Sequence, residues 1–196
     1  KLVPTRWSIT GTDDTLGKNI INEIKDYKQL EDYRIYIGNY LGNYYYILMF
    51  PENWQYELFE GYLPGSAWNY DSKIKFSTDD ESYYGRKTYA SNCVGGYYSS
   101  RLGVLEHLKK IKKQSSCLVI RFETPEYNLP LGVFVVRSAA RKTLESNFLN
   151  FNTKEEMLNK ARELIKLRFN YDVENLFKES KLLKSLTQKK LSSFFN

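Results

Sequence analysis

The sequence predicts an α+β protein: a single mixed domain in which an antiparallel meander is flanked by helices, followed by a flexible C-terminal tail. Three observations predict it. Residues 33–40, 44–50 and 54–62 are strand-like runs joined by the turns Leu-Gly-Asn and Pro-Glu-Asn, which reads as a meander. A helical stripe of Tyr98, Leu102, Leu105, Leu108 and Ile111 runs through residues 95–113. The order of elements lacks the regular strand-helix alternation of a doubly wound sheet. With 196 residues, 42% hydrophobic and 27% charged, the chain can bury one core, assigned to residues 1–186, with residues 187–196 as the tail.

In chain order, the first 18 residues are dense in hydrogen-bonding side chains and read as a loop feeding a helix. Thr12 or Asp13 caps that helix, which runs to about Lys28 and buries Leu16, Ile20, Ile21 and Ile24. After the three strands, residues 64–89 are polar and read as a long surface loop. Gly95 and Gly96 open the next helix, whose last turns carry Lys109, Lys110, Lys112 and Lys113 at the carbonyl end of its dipole. Strands are expected at 117–122 and 131–136, then helices at 138–147, 153–168 and 173–186.

Composition narrows the chemistry. The 17 tyrosines predict a core partly walled by Tyr, each with a hydroxyl to satisfy. A net charge of +6 attracts polyanions. Cys93, Cys117 and the single histidine, His107, lack metal-ligand spacing and read as buried thiols and an ordinary helical imidazole, so no metal or other cofactor is expected. No apolar run is long enough for a membrane span or signal segment, which predicts a cytoplasmic protein with no membrane partner. A start at Lys1 instead of Met reads as a fragment of something longer.

The tail is the most specific stretch. Gln188, Leu191, Phe194 and Phe195 share one face of a single helical turn, and so short a tail has nothing of its own to bury them against. The pattern resembles the PCNA-interacting peptide box, which implies that the aliphatic and aromatic side chains enter a groove of the sliding clamp while the glutamine makes polar contacts beside it. Burying two Phe rings and a Leu gives on the order of 5–8 kcal/mol before the cost of ordering the peptide. The competing reading folds both rings back onto the body.

Three blocks resemble the Nre family of archaeal DNA-repair proteins: Lys-Leu-Val-Pro-Thr-Arg-Trp-Ser-Ile-Thr at 1–10, Val-Gly-Gly-Tyr-Tyr-Ser-Ser-Arg-Leu-Gly-Val-Leu-Glu at 94–106, and the run from Val119 to Arg137 containing Glu-Thr-Pro-Glu-Tyr-Asn-Leu-Pro. The resemblance covers essentially the whole chain and is expected to represent the C-terminal half of the family protein. It implies a missing N-terminal half with a cysteine-rich, zinc-binding segment, a role in repair of damaged DNA, and a terminal clamp-binding box. The chain departs from the family at Asn128-Leu129 and at Ser138, which excludes a mechanism needing a carboxylate at 138.

In the body, Thr5, Arg6, Thr10, Gly95, Gly96, Arg101, Arg121 and Arg137 form the candidate phosphate or nucleic-acid site, since guanidinium forks and amides at a helix start suit phosphate. Asp13, Asp14, Glu123 and Glu126 are the candidate catalytic carboxylates of an alternative reading, a metal-dependent nuclease or other nucleotide-processing enzyme, in which they would hold a divalent metal. The plainer readings are helix caps for the two aspartates, surface positions for the two glutamates around Pro125, close packing for the glycines, and a structural ion network for Arg121 and Arg137.

Overall fold

Strands of alternating side-chain direction, apolar on both faces, require a layer on each side, and among the described residues six helices supply them. The computed structural model describes residues 5–127 and 132–187, with the side chains of Thr5 and Arg6 excepted. Among them the order is α1 (Thr5–Ile24), β1 (Tyr33–Tyr40), β2 (Asn43–Phe50), β3 (Gln55–Tyr62), β4 (Lys75–Glu81), α2 (Val94–Ile111), β5 (Ser116–Glu123), α3 (Val133–Glu145), β6 (Phe148–Phe151), α4 (Lys154–Phe169), α5 (Glu174–Glu179) and α6 (Lys181–Thr187). The strands form a single mixed sheet ordered β4-β3-β5-β2-β1-β6. Its class is the α+β expected from the sequence. The meander is present only as its first hairpin: β1 and β2 are antiparallel, but β5 lies between β2 and β3, antiparallel to the former and parallel to the latter. Local turns fix β1–β2, because Leu41 and Gly42 both take positive φ, as a two-residue hairpin loop requires. Nothing local forces β3 beside β2, and the α2 crossover inserts β5 instead.

Alternation sorts the core. Tyr45, Ile47, Met49, Tyr56, Leu58 and Val119 face α1, α2 and α3, while Tyr46, Leu48, Phe50, Phe59, Ile120 and Phe122 face α4, α5 and α6. Each such aliphatic or aromatic side chain contributes about 1.5–3 kcal/mol on burial. No helix among the described residues is long and apolar enough to cross a membrane.

Five elements depart from the sequence reading, one of them β6, which pairs with β1 where no strand was expected. Helix α1 begins at Thr5 and ends at Ile24, because Thr12 and Thr15 hydroxyls donate to the carbonyls of Ser8 and Gly11 one turn back, so the hydroxyl-rich opening is satisfied inside a helix. Its buried face is Thr10, Asp13, Gly17, Ile21 and Ile24, with Leu16 exposed. Residues 133–136, read as a strand, start α3: Val136, Ala139, Ala140, Thr143 and Leu144 are buried at helical spacing while Phe134 is exposed. The expected loop 64–89 contains β4. The last expected helix breaks at Ser180, where α6 starts anew. Ser180 Oγ accepts from the Leu183 amide, and Glu57, reaching over from β3, accepts from the amides of Lys181 and Leu182 and from the Ser180 hydroxyl. The first three amides of α6 are thereby all satisfied.

Candidate functional site: buried ion network and exposed rings

The parallel pair β3–β5 sets Glu60 opposite Arg121 and Tyr62 opposite Glu123, near the carboxyl ends of both strands. Arg121 donates to Glu60 Oε1 at 2.7 Å, to Glu123 Oε2 at 2.9 Å and to Asn43 Oδ1 at 2.5 and 2.8 Å, while the Tyr62 hydroxyl donates to Glu60 Oε2 at 3.0 Å. All three ions are buried, and Glu123, expected on the surface, is only 1% exposed. Its side chain takes the inward face of β5 because the strand continues past Arg121 with the same alternation. Burial pushes the Glu123 carboxyl up, opposed by Arg121. Burial also disfavours the Arg121 guanidinium, but Glu60, Glu123 and the neighbouring Tyr hydroxyls outweigh it and hold the charge. Such a network fixes geometry more than it adds net stability, since desolvation offsets most of the attraction.

Helix α2 enters directly above this network. A Cβ on Gly96 would stand 2.4 Å from Glu60 Oε1, and one on Gly95 would stand 2.7 Å from Val133 Cγ1 and 3.1 Å from Thr10 Oγ1. The glycine pair therefore lets the helix approach β3 and α3. The amides of Asn92 and Cys93 donate to Asp79 Oδ2 at 2.9 and 2.8 Å, so the anion at this helix start is the chain's own carboxylate, itself paired with Arg86 at 3.1 Å. Val94, between them and Gly95, has φ of 51°, a left-handed conformation that costs a β-branched residue on the order of 1–3 kcal/mol.

A second network lies along α1. Arg101 donates to Glu81 at 2.6 Å and to Asp14 at 2.7 Å; Trp54 Nε1 donates to the other Glu81 oxygen at 3.1 Å, and Lys18 to the other Asp14 oxygen at 2.6 Å. Burial raises the Asp14 carboxyl, but Lys18 and Arg101 overcome it and bring it below the ordinary value. Asp13, fully buried, accepts from Ser99 Oγ at 2.6 Å and from Arg137. Arg137 therefore acts from helix α3, not from a strand end. Glu126 is exposed and accepts from the Tyr44 hydroxyl at 3.1 Å, to which Arg168 donates at 2.6 Å.

The sequence candidates thus fall into separate places. Asp13, Asp14, Glu123 and Glu126 each answer to different partners, and among the described residues no group of three or more His, Cys, Asp or Glu is placed to hold a metal ion. Arg101 and Arg121 are buried and each pairs with two carboxylates, while the partly buried Arg137 pairs with Asp13 through one terminal nitrogen. Thr10 is buried against Gly95. The side chains of Thr5 and Arg6, and all of Gln188, Leu191, Phe194 and Phe195, lie outside the described residues. Cys93 and Cys117 are buried free thiols that burial pushes up, Cys117 to about 12. Glu60, Asp79, Glu81 and Asn43 were missed; the signal for Glu60 was an acid at an alternating, otherwise inward position of β3.

Outside the networks, a cavity of about 300 Å³ between α2 and α3 is lined by Gly103, Glu106, His107, Lys110, Arg141, Leu144 and Glu145, with Arg141 doubly bonded to Glu106 at 2.6 Å. Trp7, Tyr89, Trp68, Tyr70 and Tyr84 are exposed rings. Trp7 stacks on Tyr89 and Tyr89 on Tyr98.

Comparison with known proteins matches residues 1–69 to the family described as archaeal Nre, N-terminal, and residues 81–194 to archaeal Nre, C-terminal. This corrects the expectation that only the C-terminal half is represented: β1–β3 lie in the first matched segment, and β3 pairs with β5 of the second. The chain is similar to DNA repair protein NreB of Archaeoglobus fulgidus, 39% identical over 195 residues, covering 99% of this chain and 48% of the relative. It is also similar to DNA repair protein NreA of Haloferax volcanii, 39% identical over 155 residues (78% and 37%), and to NreA of Archaeoglobus fulgidus, 38% over 161 residues (82% and 41%). The chain spans less than half the length of these curated relatives. No solved structure matches.

Proposed function

The chain belongs to the archaeal Nre family, and from that premise we propose that it is a DNA-repair factor recruited to the sliding clamp PCNA through Gln188, Leu191, Phe194 and Phe195, with a body that binds DNA or a phosphorylated ligand. The observation that carries the recruitment is the complete glutamine, aliphatic, aromatic, aromatic spacing that begins one residue after α6. The names of the relatives support the repair role, and the net charge of +6 supports a polyanionic partner. A cytoplasmic setting goes with this reading. The nuclease alternative is disfavoured by the separate bonding of its four carboxylates. With the buried arginines engaged, DNA contact falls to surface cations and exposed rings.

Calorimetric titration of the chain into its cognate clamp tests the recruitment. The native chain binds, and a Phe194→Ala, Phe195→Ala double variant loses about tenfold or more, as expected when two aromatic anchors carry the contact. Equal binding by both, or none by either, overturns it.

A further inference from the structure

Tyr98, Tyr89 and Trp7 form a ladder of rings that starts in the core and ends in water. Tyr98 is 5% exposed; its hydroxyl accepts from the Ala90 amide at 2.9 Å, and the Arg101 guanidinium sits 5.3 Å from its ring centre. Tyr89 stacks on it at 5.4 Å and 27°, and Trp7 stacks on Tyr89 at 6.3 Å and 19°. Trp7 is 65% exposed, so the outer side of the last indole faces solvent. A stack held at its buried end loses little freedom when another planar group is added to the open end.

We propose that this open end is a stacking platform for an unpaired base of single-stranded DNA. The proposal rests on the reading of the body as a DNA-binding element and says which surface does it. The net charge of +6 favours a polyanion. Ser8, Gly11, Thr12, Thr15 and Leu16 of α1 are exposed beyond Trp7, with no carboxylate among them to repel phosphate. These residues line a shallow, open depression on the same helix. Thr12 and Thr15 hydroxyls donate to helix carbonyls, so its wall offers carbon and small surfaces instead of competing charges. Lys87, two residues before Tyr89 in the chain, is exposed and adds a cation to this loop. A duplex keeps its base faces stacked on one another, so an indole face selects single strands, and it does so without regard to sequence.

Fluorescence anisotropy with a labelled oligothymidine and with a duplex of the same length tests this, using the native chain, Trp7→Ala, Trp7→Phe and Trp68→Ala. Trp68 is an exposed ring outside the ladder. The expected result is single-strand binding that Trp7→Ala weakens by about fivefold or more, that Trp7→Phe largely keeps, and that Trp68→Ala leaves unchanged. In a Trp68→Phe background the remaining tryptophans are Trp7 and the buried Trp54, and oligothymidine quenches the Trp7 emission. Native-like binding by Trp7→Ala at an unchanged thermal midpoint, or equal losses from Trp7→Ala and Trp68→Ala, overturns the platform while the DNA reading stands. Binding of neither oligonucleotide by the native chain, or of a proline-rich peptide instead, overturns both.

Discussion

Gly96 faces Glu60 so closely that a Cβ in its place would stand 2.4 Å from Oε1 of that carboxylate. Glu60 has little room to retreat, because Arg121 and Tyr62 hold its two oxygens. Gly96→Ala is therefore expected to destabilise the fold by about 1–3 kcal/mol, the usual cost of overpacking. Urea unfolding reads this directly, and a native midpoint would mean that the helix start can slide.

Arg121→Met leaves Glu60 and Glu123 buried without their cation, which costs about 3–5 kcal/mol at neutral pH. Burial already raises the Glu123 carboxyl, and loss of the guanidinium raises it further. A carboxyl raised in the folded state contributes its stability below the unfolded pKa and loses it as pH rises through the folded one. The deficit of the variant should accordingly shrink between pH 7 and about pH 4.5. Denaturant titrations at the two pH values measure it, and a constant deficit would contradict the assignment.

His107 is partly buried, its Nε2 3.1 Å from the Tyr36 hydroxyl. Burial first, then Lys110 and Arg34, hold its imidazole down to about 4. Because the unfolded chain takes up this proton at ordinary His values and the folded chain does not, the contribution is present above about pH 6.5 and is lost as pH falls toward the folded value. As the single histidine of the chain, it gives an unambiguous NMR titration. A midpoint above 6 would exclude the buried neutral ring.

Glu57 supplies the acceptor for the Lys181 and Leu182 amides and the Ser180 hydroxyl. Glu57→Ala strands these donors in a buried place, at a cost of about 2–4 kcal/mol. Hydrogen exchange should show α6 losing protection first, with α4, capped separately by Thr153 and Glu156, little changed. Uniform loss across both helices would mean that Glu57 supports the sheet instead.

The elements most legible in the sequence were those whose stabilising contacts are local. The β1–β2 hairpin followed from Leu41-Gly42, and α4 from its period, its start closed in the structure by Thr153 and Glu156. What was hidden depended on distant partners. The acidic run of β4 looks like loop until Asp79 meets Arg86, Glu81 meets Arg101 and Trp54, and Asp80 meets Lys181. Val133-Phe134-Val135-Val136 has strand composition but folds as helix, with Val135 and Val136 turned onto the core. At the site, the arginines and acids were recognisable as a network. That Arg137 would answer Asp13, and Arg101 would answer Asp14, is a matter of helix packing that no spacing encodes.

The insertion of β5 between β2 and β3 also bears on how the chain can be divided. Severed in the stretch between Tyr62 and Lys75, the first piece holds β1, β2 and β3 but has a gap one strand wide where the second piece belongs. The pieces should complement one another, co-eluting after a proteolytic nick and folding on mixing, while neither gives a cooperative melt alone. The two segments matched to the family are thus interlocked halves of one sheet, and a nick at their seam is a test of assembly, not a separation of modules.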